Sequence, residues 1–138
     1  MKKFELTANS KMHLGKKLFQ IRALISFGNV EEGDLGGFIE KEDNLSQSGN
    51  AWVSGDAEVY GNARVSGNAD YTTIKGFGRN CRNTTFFKSE DDVKVVCGCF
   101  YGTLDEFRKK VKETHGDSKY ATEYLMIADL MELHFKED

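Results

Sequence analysis

The sequence predicts a mostly β protein with helices at its C-terminal end, and three observations support this class. The chain of 138 residues contains 14 Gly and no Pro, which is typical of a chain turned at regular intervals by Gly and Asn. A six-residue repeat occupies the middle of the sequence, and two helical patterns follow it. This length fits one ordinary domain or two small modules that share a core.

Composition excludes several classes of protein. Hydrophobic residues make up 39% and charged residues 30% of the chain, which favours a packed interior over disorder. A net charge of -3 excludes nucleic-acid binding by overall basicity. No apolar run approaches the ~18 residues of a membrane span, and the start of the chain lacks the apolar segment of a signal peptide. We therefore expect a soluble protein of the cytoplasm.

Residues 1–38 predict a β-rich N-terminal cap. Strands are expected over Lys3 to Thr7 and Lys17 to Ser26, because both stretches alternate or enrich apolar residues between polar loops. A Gly-rich connector follows, but it carries three acids and lacks the Lys-Ser/Thr of a phosphate-binding loop. We expect it to feed the chain into the repeat.

The repeat covers residues 39–74 and has a period of six. Gly49, Gly55, Gly61 and Gly67 are each followed by Asn or Asp and then Ala. Regular Gly and β-branched Val argue against a helix, and a hairpin would not place Gly at every sixth residue. Two inward ladders are predicted: Ile39, Leu45, Ala51, Ala57, Ala63 and Ala69 in one, and Val53, Val59 and Val65 in the other.

These hexads resemble the hexapeptide-repeat family, whose fold is a left-handed parallel β-helix. The resemblance implies a short coil of about two turns with Gly-Asn corners, where Gly and Asn tolerate positive φ. It also implies outward positions for Trp52, Glu58, Tyr60 and Arg64. Because the top and bottom of such a coil are unpaired, capping elements or a second subunit must cover them. A homodimer or homotrimer is the expected assembly.

Residues 75–138 predict a C-terminal ββαα module. Strands are expected over Thr84 to Lys88 and Val93 to Cys99. Thr103 opens a capping box with Glu106, and Gly116 is placed to end that helix. A second helix is expected from about Ser118 to His134, with Asp117 as its N-cap. Apolar residues cover most of its circumference, which implies burial on two sides.

The layout as a whole is similar to small proteins of phages and prophages of gut Firmicutes. The motifs that carry this resemblance are Gly-Asp-Leu-Gly-Gly-Phe-Ile-Glu-Lys-Glu, the Gly-Asn-Ala hexads and Cys-Gly-Cys-Phe-Tyr-Gly-Thr-Leu-Asp-Glu-Phe. Phage genes of this size often encode inhibitors of bacterial defence. The resemblance implies a non-catalytic binding protein that occupies a host immune effector, such as a CRISPR nuclease, or sequesters its nucleotide signal.

Residues 75–88 form the main candidate for a ligand site, because they hold four positive charges and no acid. Arginine can donate two hydrogen bonds to the oxygens of one phosphate, amides and hydroxyls can donate further hydrogen bonds, and aromatic rings can stack on a base. The alternative is a polar loop whose aromatics pack into the C-terminal core. The candidate ligand-binding residues are Phe77, Arg79, Arg82, Asn83, Thr84, Thr85 and Tyr101. A second basic group comprises Lys2, Lys3, Lys11, Lys16, Lys17 and Arg22.

Enzyme and metal chemistry have weaker support. Hexapeptide-family acyltransferases use a histidine as general base, but His13, His115 and His134 all lie outside the hexads, so no catalytic residue is assigned. Cys97-Gly98-Cys99 is tighter than a zinc knuckle, and with Cys81 these cysteines are expected to be reduced and buried. No metal or cofactor is assigned. An acyltransferase-like enzyme and a structural oligomerisation protein remain the alternatives.

Overall fold

The computed structural model describes residues 2–77, 83–89, 92–98 and 100–136. These residues form eight strands and two α-helices, with short 3₁₀ turns at Glu42–Asn44 and Asn68–Asp70. The strands are β1 (Phe4–His13), β2 (Lys16–Ala23), β3 (Leu35–Ile39), β4 (Glu58–Val59), β5 (Tyr71–Ile74), β6 (Thr84–Lys88), β7 (Val93–Cys97) and β8 (Phe100–Thr103), and the helices are α1 (Leu104–His115) and α2 (Lys119–Phe135).

The first sheet is mixed and has the strand order β1-β2-β3-β4. β1 and β2 form an antiparallel hairpin, and β2 pairs antiparallel with β3. β3 then pairs parallel with the two-residue strand β4, which is the part of the repeat that enters this sheet. The predicted N-terminal strands are confirmed, although they are longer at the hairpin turn than expected and the second ends before Ser26.

The second sheet is antiparallel throughout, with the order β5-β6-β7-β8. Its central strands β6 and β7 are the two predicted from sequence, while β5 and β8 extend the sheet on either side. The helices pack on one face of it, where Phe86, Val95, Phe107 and Tyr124 belong to one hydrophobic core. Phe87 and Val96 point the other way, into the core of the first sheet and the repeat.

The prediction of a short left-handed parallel β-helix is wrong. The chain instead folds into two four-stranded sheets in which most pairings are antiparallel. Within the repeat, the parallel contacts are the β3–β4 pair and one bridge between Leu45 and Val65, each joining residues twenty positions apart. The hexads turn sharply at Gly49, Gly55 and Gly61, which have φ of 72°, 61° and 70°. The chain between them therefore forms extended segments and turns rather than stacked strands.

The inward ladders of the repeat are confirmed except at one position. Val53, Val59 and Val65 are fully buried, and of the first ladder only Ala69 is exposed. The predicted outward positions of Trp52 and Tyr60 are wrong, because both side chains are buried. Phe27 covers Trp52 at a centroid distance of 5.4 Å, and Tyr60 stacks against Tyr101. The flanking sheets thus cover the outer side of the repeat.

Two adjacent glycines let β3 lie directly against the repeat. A Cβ on Gly36 would stand 2.5 Å from the Val53 carbonyl oxygen, and one on Gly37 would stand 2.8 Å from that of Ala57. At this approach the Gly37 amide donates to the Val53 carbonyl at 2.8 Å. Both residues must therefore lack a side chain.

The buried side chain of Asn44 joins the start of the repeat to the hexad that begins at Gly61. Its Oδ1 accepts hydrogen bonds from the backbone amides of Glu40 and Lys41, both at 3.1 Å. Its Nδ2 donates to the carbonyls of Gly61 and Ala63 at 3.1 and 3.0 Å. These bonds use the full hydrogen-bonding capacity of the amide and satisfy backbone groups that lack a strand partner.

The helix caps follow the predicted chemistry with one correction. Thr103 and Glu106 form the capping box, and Gly116, with φ of 57°, ends α1. The N-cap of α2 is Ser118 rather than Asp117, since the Ser118 hydroxyl accepts from the Ala121 amide. Neither helix in the described part of the chain is long and apolar enough to span a membrane.

Replacing Asn44 by Leu should lower the free energy of unfolding by at least about 3 kcal/mol. The substitution leaves up to four buried or partly buried backbone groups without a partner, and a fully buried one costs about 1 to 3 kcal/mol. Asn50→Leu is the matched control, because Asn50 is exposed and surface changes usually stay within about 0.5 kcal/mol. Urea unfolding followed by circular dichroism measures both. Equal stability of the two variants would contradict the role given to Asn44.

Replacing Gly37 by Ala should destabilise the protein by about 2 to 3 kcal/mol, because the added methyl group meets backbone that cannot move without breaking the β3–β4 pair. Gly67→Ala serves as the comparison, since a Cβ there meets nothing within 4 Å and φ is -136°. Thermal unfolding of both variants should separate them by several degrees. A Gly37→Ala protein that melts with the parent would show that β3 can shift away from the repeat.

Candidate ligand-binding cavity at the junction of the two sheets

A cavity of about 390 Å³ opens where the β1–β2 hairpin, the repeat and the second sheet meet. We call it the junction cavity. Its size lies within the range of small-molecule sites. The walls come from three parts of the chain that are far apart in sequence. The lining residues are Leu14, Lys16, Tyr60, Gly61, Asn62, Ser89, Lys94 and Tyr101.

The β1–β2 turn delivers the first wall. His13 pairs with Lys16 across a two-residue loop, and Leu14 and Gly15 have φ of 50° and 81°. Positive φ at both central residues defines a type I′ turn, which matches the twist of the hairpin strands. Leucine is unusual at such a position, because its Cβ is crowded in the left-handed region. The turn holds Leu14, which is 53% exposed, at the edge of the cavity.

His13 ties this turn to both other walls. Its Nε2 lies 2.5 Å from the Gly98 carbonyl oxygen, and its Nδ1 lies 3.0 Å from the Tyr60 hydroxyl. Because a carbonyl can only accept, Nε2 donates to the Gly98 carbonyl, and in a neutral ring Nδ1 accepts from the Tyr60 O–H. Both ring nitrogens are therefore engaged in holding the hairpin to the repeat and the second sheet.

The floor of the cavity is a pair of tyrosines. Tyr60 and Tyr101 stack at a centroid distance of 4.7 Å with an interplanar angle of 27°. Burial raises the pKa of the Tyr60 phenol well above its usual value, and burial also raises the pKa of Tyr101. Both phenols are consequently protonated at neutral pH. The Tyr101 hydroxyl has no hydrogen-bond partner among the described residues, so it can donate to a ligand.

Gly61 forms the wall beside Tyr101 and has φ of 70°. A Cβ at this position would stand 2.9 Å from the Tyr101 hydroxyl oxygen. The Gly61 amide donates to Glu40 Oε1 at 3.0 Å, and its carbonyl accepts from Asn44. Glycine is therefore required here both by the turn and by the tyrosine.

Two lysines bring positive charge to the cavity. Lys16 Nζ lies 3.7 Å from Glu40 Oε2, and Lys94 Nζ lies 3.2 Å from Asp92 Oδ2. An ammonium group has three donors, so each lysine can keep its carboxylate and still donate to a ligand. The arrangement suits a small anion held by two ammonium groups and the Tyr101 hydroxyl.

The residues predicted to bind a ligand do not come together in one described site. Tyr101 lines the cavity, whereas Arg79 and Arg82 lie outside the described residues. Thr84 and Thr85 are buried within β6, where Thr84 Oγ1 donates to Cys97 Sγ and Thr85 Oγ1 accepts from the Glu58 amide.

The remaining two predicted ligand residues do not line this cavity. Asn83 Nδ2 donates to the Asp56 carbonyl at 2.9 Å, and Phe77, which is 39% exposed, accepts at its carbonyl from the Tyr124 hydroxyl.

The sequence does not indicate that Lys16, Lys94 or Gly61 belongs to a site. Lys16 is one member of the N-terminal basic group, and Lys94 lies within a predicted strand. The Leu14-Gly15 turn was the available signal, since a two-residue turn with Gly between alternating strands predicts a hairpin. Nothing in the sequence indicates that its tip reaches β7.

Metal ligation has no geometric support in the part of the chain that the structure describes, where no three His, Cys, Asp or Glu side chains cluster. Cys97 is a free, half-buried thiol, and the predicted cysteines Cys81 and Cys99 lie outside the described residues. Comparison with protein-family models, curated protein sequences and solved structures finds no match to this chain.

Replacing Leu14 by Asn should raise the free energy of unfolding by about 1 kcal/mol. Asparagine tolerates positive φ better than leucine and is favoured in type I′ turns. Leu35→Asn provides the control, since Leu35 is a similarly exposed leucine in a strand, where asparagine brings no such gain. Urea unfolding compares the two. An unchanged or lower stability of Leu14→Asn would mean that Leu14 makes stabilising contacts that offset its backbone strain.

Proposed function

We propose that this protein is a non-catalytic binding protein that captures a small phosphate-bearing ligand of the nucleotide class in the junction cavity. The observation that carries the proposal is the convergence of Lys16, Lys94 and the Tyr101 hydroxyl on one cavity of about 390 Å³. Charge-assisted hydrogen bonds contribute about 1.5 to 3 kcal/mol each. Two such bonds and one neutral hydrogen bond sum to about 3.5 to 7.5 kcal/mol, which corresponds to a dissociation constant between the millimolar and the low micromolar range.

The state of the polar groups favours binding over catalysis. General base catalysis needs a group near its pKa at working pH that can reach the substrate. The two tyrosines remain protonated because burial raises the pKa of each phenol. Both nitrogens of His13 already hold the hairpin in place. The cavity therefore offers hydrogen-bond donors on Tyr101 and on two lysines that are each paired with a carboxylate, and these donors can recognise a phosphate without transferring a group from it.

The biological setting follows from the phage-like motifs of the sequence. A phage-encoded protein of this size in the cytoplasm of a host cell can block defence by sequestering the nucleotide signal that activates an immune effector. Direct occupation of such an effector, for example a CRISPR nuclease, is the competing mode. The cavity favours the nucleotide, because Lys16, Lys94 and Tyr101 line one small volume.

The test is calorimetric titration of pyrophosphate, cyclic dinucleotides and linear oligoadenylates into the parent and into the double variant Lys16→Ala with Lys94→Ala. The parent should bind at least one of these ligands, and the double variant should bind it at least tenfold more weakly. Lys109→Ala with Lys110→Ala is the matched control, since both lysines are exposed on α1 and the net charge changes equally. Tyr101→Phe should weaken binding by a smaller factor through loss of one donor.

Three outcomes would contradict this proposal. An equal loss of affinity in the cavity variant and in the α1 control would show that binding depends on the net charge of the protein and not on the cavity. Absence of binding to every phosphate ligand would favour a protein effector as the target. A bound ligand recovered unchanged after denaturation of the protein agrees with sequestration, whereas a converted ligand would indicate an enzyme.

A further inference from the structure

Helix α2 is apolar on two opposite faces. Its inner face consists of Ala121, Tyr124, Ala128 and Met131, which are buried against β6, β7 and α1. Its outer face carries Met126, Leu130 and Leu133, which are 67%, 56% and 70% exposed. Their spacing of four and three residues places them in one stripe along the helix. We call Met126, Leu130 and Leu133 the outer stripe.

The outer stripe differs from scattered surface leucines. Three large side chains in one row on a rigid helix form a contiguous apolar patch, which is the usual mark of an interaction surface. The helix itself is anchored, because Arg108 of α1 donates to Asp129 at 2.9 Å and also pairs with Glu132 at 3.0 Å. A partner would therefore meet a preformed surface and would not have to order it.

We propose that the outer stripe is a self-association surface on which α2 of a second copy packs antiparallel. The spacing of the stripe is that of a coiled-coil seam. In a two-fold antiparallel pair, Leu130 of each copy lies opposite Leu133 of the other. The same contacts form twice, which is the property of an isologous interface.

Charge complementarity selects a second copy as the occupant and antiparallel as the direction. Asp129 and Lys136 lie on the same side of the stripe, seven residues apart, and both are exposed. With Leu130 opposite Leu133, Asp129 of one copy comes within about 3 Å along the helix axis of Lys136 of the other. The two-fold symmetry then gives two such ion pairs. A parallel pair would bring this side of one stripe against the opposite side of the partner's stripe, so Asp129 and Lys136 would not pair with each other.

The size of the surface sets the strength of the association. A helix of 17 residues is about 26 Å long, and one helix pair buries much less than the roughly 800 Å² per subunit of a standard interface. An interface of this small size is typical of a weak, transient association. It forms independently of ligand, since the outer stripe and the junction cavity share no residue.

Sedimentation velocity from about 5 to 500 µM tests the proposal on the full chain. The parent should shift from the 15.5 kDa monomer toward the dimer mass, and Leu130→Glu should raise the dissociation constant at least tenfold. Leu35→Glu is the matched control, because Leu35 is 59% exposed on β3, and it should dimerise like the parent. Circular dichroism confirms that each variant is folded.

A charge exchange tests the antiparallel register. Lys136→Glu should weaken the dimer, and adding Asp129→Lys should restore it. In the double variant Arg108 loses its bond to Asp129 and keeps those to Asp105 and Glu132, so circular dichroism must show that α2 stays folded. A parent that stays monomeric at every concentration overturns the proposal, as does a Leu130→Glu variant that dimerises like the parent. Failure of the exchange to restore association overturns the antiparallel arrangement.

Discussion

The four hydrogen bonds of the buried Asn44 amide hold together a segment that has little strand pairing of its own. Between the 3₁₀ turn at Glu42–Asn44 and the one at Asn68–Asp70, the only strand described is the two-residue β4. Backbone groups buried in such a segment must find side-chain partners. Asn44 supplies hydrogen-bond partners both to the start of the repeat and to the hexad that begins at Gly61. A buried amide that is fully satisfied also specifies one arrangement, since any slip leaves polar groups unpaired.

The hydrogen bonds of Asn44 also position one wall of the junction cavity. Asn44 accepts from the Glu40 amide and donates to the Gly61 carbonyl, and the Glu40 carboxylate accepts from the Gly61 amide. These three bonds fix Gly61, over which the Tyr101 hydroxyl lies. Glu40 also positions Lys16. One buried side chain thus places the glycine wall, the carboxylate behind it and, through that carboxylate, one of the two cavity lysines.

Lys3 applies the same principle at residues 48–51 of the repeat. Its side chain is buried, and its Nζ donates to the Ala51 carbonyl at 2.7 Å while lying 4.9 Å from the centre of the Phe27 ring. Burial lowers the pKa of this lysine. Together with Asn44, it shows that polar side chains buried by the flanks organise the hexads, which explains why the repeat needs the first sheet.

Local features of the fold could be predicted, and long-range ones could not. Valine and glycine at six-residue intervals correctly indicated burial at Val59 and turns at Gly61, because both depend on the residue itself and its neighbours. The period carries no information about which strands pair, so the antiparallel hairpin joined to β3 and the second sheet beside the repeat were missed. Trp52 and Tyr60 were expected outside for the same reason.

The same difference between local features and long-range contacts applies to the candidate site. Tyr101 was predicted as a ligand residue because it lies near a basic segment rich in aromatics. Lys16 and Lys94 converge only through tertiary contacts, chiefly the bonds of His13 to Tyr60 and Gly98. No local pattern in the sequence encodes that convergence.

Chemical-shift mapping by NMR on the full chain tests the central claim most directly, which is that phosphate binds where the hairpin, the repeat and the second sheet meet. On titration with a phosphate ligand that the protein binds, the backbone amides of Lys16, Gly61, Asn62 and Tyr101 should shift together with one dissociation constant. The amides of α2 should keep their positions. Shifts confined to other surfaces, or cavity amides that stay unchanged at saturation, would contradict the account.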